Sequence, residues 1–220
     1  MSIAANIKKI KEELPIHVTL VAVSKTNPIE RIEEAYAVGQ RHFGENKVQE
    51  MVAKASQLPK DIFWHLIGHL QTNKVKYIAP FVHLIHAVDS FKLLQEIDKH
   101  AKINNRMIDC LLQVYIAKEE TKFGFSIEEL DVLLREGKYK ELTNTNIRGL
   151  MGMATNTHNT NQIAIEFDTI NKVYTQIKKA NLFQQFDILS IGMSSDYPIA
   201  VEHGSNMVRV GSNIFGERKY

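Results

Sequence analysis

The sequence predicts an α/β protein folded as a single (β/α)8 TIM barrel over residues 1–220, with one extra helix at the N-terminus. Three observations predict it. Short runs of β-branched and apolar residues recur eight times, segments of helical spacing separate them, and glycines, amides and hydroxyls gather just after the runs. Strands separated by helices pair in parallel through right-handed crossovers, and eight such units close a barrel. The 220-residue chain is compact for a fold that typically takes about 250 residues. A doubly wound open sheet would show a glycine-rich phosphate fingerprint after its first strand, and "SKTNP" (24–28) is unlike one.

The elements follow in order. Ile3, Ile7, Ile10 and Leu14 lie on one face of a leading helix, and "HVTLVAV" (17–23) is the first strand. A helix over 29–39 ends at Gly39, a C-cap residue. The second strand (41–45) precedes a helix over 47–58. The third (63–68) precedes a helix that Thr72 caps. Then come a fourth strand (83–89) with a helix over 90–103, and a fifth (109–116) with a helix over 126–137. The sixth strand (147–153) lies between the Asn/Thr-rich segments 143–146 and 155–161, read as loops and a helix N-cap, and a helix follows over about 161–180. The seventh (187–192), a short polar helix and the eighth strand (207–215) complete the pattern.

Composition excludes several function classes. With 27 basic and 25 acidic residues the net charge is +2, and the charges are mixed, which is not the footprint of a nucleic-acid or anionic-membrane binder. The N-terminus has no signal-peptide core and no run reaches membrane-spanning length, so a cytoplasmic protein is expected. Cys110 is the only cysteine and reads as a buried small hydrophobe. His65 and His69 have the i, i+4 spacing of a helical zinc pair, but they fall in a strand context and no matching ligand set follows. No metal site is expected, and His17, His83 and His86 read as core-edge or surface residues.

A barrel builds its active site at the C-terminal ends of its strands. There the sequence puts Lys25, then Gly44, Glu45 and Asn46, then Gly68, His69, Gln71 and Asn73, then "GMATNT", "IGMSSD", and finally Arg209, Gly211 and Ser212. The loops after strands seven and eight, with Ser194, Ser195 and Ser212, have the small residues and hydroxyl donors of a barrel phosphate site. Ordinary tight turns would show the same glycines. Arg209 sits inside an apolar run, and a buried guanidinium needs an acceptor. Lys25 is either a solvated strand-end residue or an amine nucleophile whose pKa a desolvated, cationic site would lower. Amine, phosphate pocket and arginine together suggest a phosphorylated aldehyde. Pyridoxal 5′-phosphate fits, and so does the sugar phosphate of a Schiff-base aldolase.

The motifs "VAVSKT", "HFGENKVQE", "WHLIGHLQTNK", "RGLMGM", "SIGMSSD" and "VRVGSNIFG", in this order from first strand to last, resemble the pyridoxal-phosphate homeostasis protein family, a single-domain relative of the alanine racemase N-terminal barrel. The resemblance implies pyridoxal phosphate held as an aldimine on Lys25. It further implies Ser194, Gly211 and Ser212 at the phosphate, Arg209 facing the pyridine nitrogen, and Asn46 and Met193 beside the ring. No catalytic residue is implied. His69, where the family often has proline or histidine, receives no role, and Lys74 either binds a second anion or, as the preferred reading, is simply solvated.

Alanine racemases add a tyrosine from a second domain of the partner subunit. This chain ends at Tyr220 shortly after the last strand, so two-base racemisation is expected to be absent or feeble. The implied role is buffering and delivery of the cofactor, with PLP-dependent apoenzymes as candidate partners and a monomer as the expected state. A racemase-like enzyme and the aldolase are the alternatives. Phe123 and Phe125 either cover the rim or pack on the following helix.

Overall fold

Ile3, Ile7 and Ile10 form the buried face of α1 (Ile3–Glu13), and Ser2 caps the helix by accepting the Ala5 N–H. Leu14 closes it and is half-buried. The chain, a computed structural model describing residues 2–117 and 123–217, then alternates strand and helix to its last strand. Tyr220 lies outside the described residues.

The strands are β1 (Thr19–Val23), β2 (His42–Glu45), β3 (Phe63–Leu66), β4 (Leu84–Val88), β5 (Ile108–Gln113), β6 (Thr145–Met151), β7 (Ile188–Met193) and β8 (Met207–Val210). They pair in parallel in sequence order, and β8 returns to β1 through the register Val21↔Arg209, so the eight strands close a barrel. Around it run α2 (Ile29–Ala37), α3 (Val48–Gln57), the short α4 (Val75–Ile78), α5 (Phe91–Ile103), α6 (Ile127–Glu136), α7 (Thr160–Lys179), α8 (Tyr197–Glu202) and α9 (Ser212–Phe215). Side-chain caps set several starts: Ser90 for α5, a reciprocal Ser126–Glu129 capping box for α6, and Asn159 for α7. Gly137, in the left-handed region at φ 69°, ends α6.

Three expectations change. The eighth strand stops at Val210 rather than running to 215, because the N–H groups of Ile214 and Phe215 both turn back to the Gly211 carbonyl at 2.9 Å. The apolar pattern of "NIF" suits either a strand or this single turn of helix. Thr72 is not a side-chain cap; it is the first residue of a 3-10 turn (Thr72–Lys74) that leads into α4. Thr145 and Asn146, read as loop, begin β6, where the Asn146 amide donates to Asp109 on β5 at 3.1 Å.

The apolar core has two parts. Most of it lies between barrel and helices, where Phe43, Met51, Ile85, Leu94, Phe167 and Leu189 are fully enclosed. The second part is the lumen, where only Val21, Leu84, Ala87, Leu111, Met151 and Met207 form the buried apolar cluster. The rest of the lumen is polar, which is unusual for a space that barrels commonly fill with branched apolar side chains.

Register is adjusted by a bulge between β5 and β6, where Cys110 pairs with Ile147 but Leu111 pairs with Gly149, leaving Arg148 as the extra residue. Gly149 has φ 157°, and a Cβ there would stand 1.7 Å from the Ile188 carbonyl oxygen. Neither strand can retreat without breaking the barrel. Gly149→Ala is therefore expected to lose about 3 kcal/mol or more of stability, read as a lowered urea midpoint.

Candidate functional site at the C-terminal rim

Eight parallel strands bring their C-terminal ends to one mouth, and a cavity of about 410 Å³ opens there among the ends of β1, β2, β3, β6, β7 and β8. The seven residues that the resemblance assigns to the cofactor line it, namely Lys25, Asn46, Met193, Ser194, Arg209, Gly211 and Ser212, and so does Ser195, whereas Gly44, Glu45, Gly68, His69, Gln71 and Asn73 do not. Val23, Ile67, Met153 and Phe215 add an apolar wall that residue chemistry alone did not flag. Among the described lining residues there is no Tyr, His, Asp, Glu or Cys.

The Lys25 backbone is clamped from behind. Ser24 is fully buried, its N–H donates to the Gly44 carbonyl at 3.0 Å, and its hydroxyl donates to Glu45 Oε1 at 2.6 Å. Lys54 on α3 donates to the Ser24 carbonyl at 2.9 Å, to Glu45 Oε1 at 2.8 Å and to Glu50 Oε1 at 2.6 Å. Glu50 Oε1 in turn accepts the Thr26 N–H at 2.6 Å, and Thr26 stands at φ 65°, a left-handed conformation costly for a β-branched residue. Both neighbours of Lys25 are thus fixed by one buried ion-pair cluster. Burial pushes the Glu45 carboxyl up to about 6, against the pull of Lys54 and Ser24, and its Oε2 has no hydrogen-bond partner. Sequence reading noticed Glu45 only as a rim residue and missed Lys54, whose role depends on helix α3 packing back on strand ends.

On the opposite side, the β7 loop is folded by Asp196, which accepts the Met193 N–H at 2.5 Å. The loops after β7 and β8 are joined: the Gly211 N–H donates to Ser194 Oγ at 3.0 Å, and the Asn213 amide donates to the Ser194 carbonyl at 2.9 Å. Gly192, at φ 94°, leaves room for Ala200, whose Cβ a side chain there would approach to 2.6 Å.

Arg209 forms the floor. It is 3% exposed, its Nη1 donates to the Ser190 carbonyl at 2.7 Å and the Ser190 hydroxyl at 2.6 Å, and its Nη2 donates to the Gly152 carbonyl at 3.0 Å. Burial lowers its pKa to about 10, with Asp196 pulling the other way, so it stays a cation at neutral pH. Ser190 Oγ also lies 3.0 Å from His86 Nδ1. Strands β4 and β7 are not neighbours, so this bond crosses the lumen. His86 Nε2 lies 2.9 Å from His65 Nδ1, and His65 Nε2 lies 2.9 Å from His42 Nδ1. His65 and His86 are completely buried; the expectation that His86 is a core-edge or surface residue is corrected, because the lumen supplies it with polar neighbours on both ring nitrogens.

The remaining candidates fall elsewhere. His69 lies 2.9 Å from Asp89 and stacks on Phe123 with ring centroids 4.0 Å apart, outside the cavity lining. Phe125 is buried beside Val114. Lys74 is half-buried, 5.8 Å from the Tyr77 ring centroid. Cys110 is fully buried, and burial raises its thiol pKa far above the ordinary range.

A family model described as "Alanine racemase, N-terminal domain" matches residues 1–219. The pyridoxal phosphate homeostasis protein of Aquifex aeolicus is 39% identical over 206 residues, covering 91% of this chain and 87% of that protein. Its namesake in Haemophilus influenzae is 37% identical over 206 residues, covering 92% and 86%. Among solved structures, PipY of Synechococcus elongatus with pyridoxal phosphate bound superposes with TM-score 0.90 at 37% identity, covering 98% of this chain and 100% of PipY. An alanine racemase of Clostridium difficile shares the fold at TM-score 0.76, with 13% identity, covering 100% of this chain and 56% of the racemase.

Two outcomes follow from the clamp behind Lys25. Lys54→Met removes three hydrogen bonds and leaves Glu45 buried without its cation, so urea denaturation at neutral pH should show a loss of about 3 kcal/mol. Glu45 binds its proton more tightly folded (about 6) than at its ordinary 4.5, so its contribution is fully present below pH 4.5 and is lost as pH rises through about 6. Unfolding free energies measured across that window should therefore fall by about 2 kcal/mol in the parent chain, and Glu45→Gln should remove that component.

Proposed function

The chain belongs to the pyridoxal phosphate homeostasis protein family, whose barrel is that of the alanine racemase N-terminal domain, and from this premise we propose that it binds pyridoxal 5′-phosphate at the C-terminal rim and buffers it for other proteins, with little or no turnover. The observation that carries the reading is the convergence of Lys25, Arg209 and the Ser194–Gly211–Ser212 loops on one cavity of about 410 Å³. The donor set fits the group. An amine suits the aldehyde, hydroxyls and small-residue loops suit the phosphate, and the Met153, Met193, Ile67 and Val23 wall suits the ring face.

When bound, the cofactor supplies an aldehyde that an amine can capture reversibly and a ring that can accept electrons. Lys25 would hold the group through its amine, and the group would supply the aldehyde that the amine captures. Ser194 Oγ already accepts the Gly211 N–H, which leaves its hydroxyl proton to donate to an anion. Ser212 offers a second hydroxyl at the same end, and Asn46 and Met193 flank the ring. Arg209, a cation at neutral pH, would stand at the ring-nitrogen end of the group and would disfavour protonation there, which would weaken electron withdrawal. Lys25 and Arg209 are the ionisable side chains of the described lining, and Arg209 stays protonated at neutral pH, so a two-base exchange lacks a second base. Delivery to PLP-dependent apoenzymes, a monomeric state and a cytoplasmic location belong to the same proposal. Among the described residues no helix is long and apolar enough to cross a membrane.

One spectrum tests the reading. The purified protein should be yellow, borohydride should bleach the absorbance, Lys25→Ala should lack it, and a chiral assay should detect no appreciable alanine or serine exchange. A colourless protein that borohydride traps only after a sugar phosphate is added would overturn the proposal in favour of an aldolase. Brisk racemisation would overturn it in favour of a racemase.

A further inference from the structure

At the N-terminal mouth of the barrel, away from the cavity at the rim, three histidines from three strand positions meet. His42 opens β2, His65 lies within β3, and His83 immediately precedes β4. One ring nitrogen from each lies within 4.8 Å of the other two. We propose that this triad is a binding site for a borderline divalent transition ion, Zn²⁺ above all, with His42 Nδ1, His65 Nε2 and one nitrogen of His83 as ligands and solvent in the open position.

The ring geometry supports it. A tetrahedral zinc with Zn–N bonds of about 2.0–2.1 Å holds its nitrogens about 3.3 Å apart. His42 Nδ1 and His65 Nε2 are 2.9 Å apart and need to open by only a few tenths of an ångström. His83 is exposed and free to swing its ring inward from a centroid distance of 5.3 Å to His65. Phe63, with its centroid 4.8 Å from the His42 ring and 4.6 Å from the His83 ring, backs both.

The deepest ligand is already oriented as metal sites require. A ligating histidine donates its second ring N–H to an acceptor, which fixes tautomer and angle. His65 Nδ1 faces His86 Nε2 at 2.9 Å, and His86 Nδ1 faces Ser190 Oγ at 3.0 Å, so His65 can donate to His86 and His86 to Ser190. Ser190 Oγ has two lone pairs and can accept that proton together with the Arg209 bond. The gap between His42 and His65 now needs a proton, because two lone pairs cannot face each other at that distance. A metal ion replaces that proton, and only the His42 tautomer has to change, its N–H moving to Nε2.

The surroundings select the ion class. Asp109 faces His83, but Arg106 and Arg148 face it too, and Lys11 faces His42, so no anionic field gathers hard cations. Three imidazoles without carboxylate or carbonyl ligands suit zinc, nickel or copper rather than calcium or magnesium.

The test uses the full, tag-free chain. Equilibrium dialysis against Zn²⁺ at micromolar free ion should retain about one equivalent. Co²⁺ should give the visible spectrum of a nitrogen-ligated site of low coordination. His83→Asn should weaken retention at least about tenfold with an unchanged urea midpoint, and His42→Gln should weaken retention by a similar factor. Nitrogen-15 spectra of the histidine rings should move His65 Nε2 on zinc addition. No retained zinc, retention unchanged in the His42→Gln/His83→Asn chain, or retention with His65 Nε2 unmoved would each overturn the site and leave the triad as an aromatic plug. None of these readouts requires a bound cofactor.

Discussion

A guanidinium enclosed in a barrel lumen is the constraint around which this interior is arranged. Arg209 cannot be left without acceptors, and the acceptors it takes come from the two strands that precede its own along the barrel: Ser190 on β7 and the Gly152 carbonyl just beyond β6. Those bonds draw the ends of β6, β7 and β8 to one side of the mouth, where the cavity opens. Ser190 then connects downward to His86, and the histidines continue to the other end of the barrel. Removing apolar filling from a lumen sacrifices burial energy, and a fully hydrogen-bonded column offsets the loss only if every member has its partner. That condition explains why the lumen is polar along a single path and apolar around it.

The opposite wall meets a different demand. Lys25 must be presented at the rim from a residue pair whose backbone is strained at Thr26, and strain persists only where surrounding structure over-determines it. Lys54 and Glu50 do so from α3 and Glu45 from β2, through bonds that reach Ser24 and Thr26, the residues on either side of Lys25.

Much of this was legible in sequence, for identifiable reasons. Barrel strands buried on both faces give uniform apolar runs, and the helices between them carry caps such as Ser126 with Glu129, so order and type of elements follow from period and punctuation. The rim residues were legible because a barrel fixes where strand ends go. The end of β8 was not, because Ile214 and Phe215 satisfy the apolar pattern of a strand and of a single helical turn equally. The histidine column was invisible for a deeper reason. His42, His65, His86 and Ser190 are separated by 23, 21 and 104 residues, and only the stagger of a closed barrel decides which of them share a level. Local spacing suggested pairing His65 with His69; closure pairs it with His42 and His86 instead.

The choice of partners for Arg209 bears on what the rim can do. A buried arginine is most simply stabilised by a carboxylate, yet such a pair would neutralise the field at the cavity floor. Here the guanidinium is satisfied by two carbonyls and a hydroxyl, with neutral histidines beneath, so its hydrogen bonds are made and its charge is kept. Asp196 lies near enough to raise its pKa against burial but is occupied by the Met193 N–H. In the proposed role, an uncancelled cation beneath the ring keeps the pyridine nitrogen unprotonated and the carbanion chemistry of the cofactor subdued. Reversible attachment at Lys25 is unaffected by that charge, since it needs only the aldehyde and a free amine. The same floor that limits catalysis therefore leaves holding and release intact.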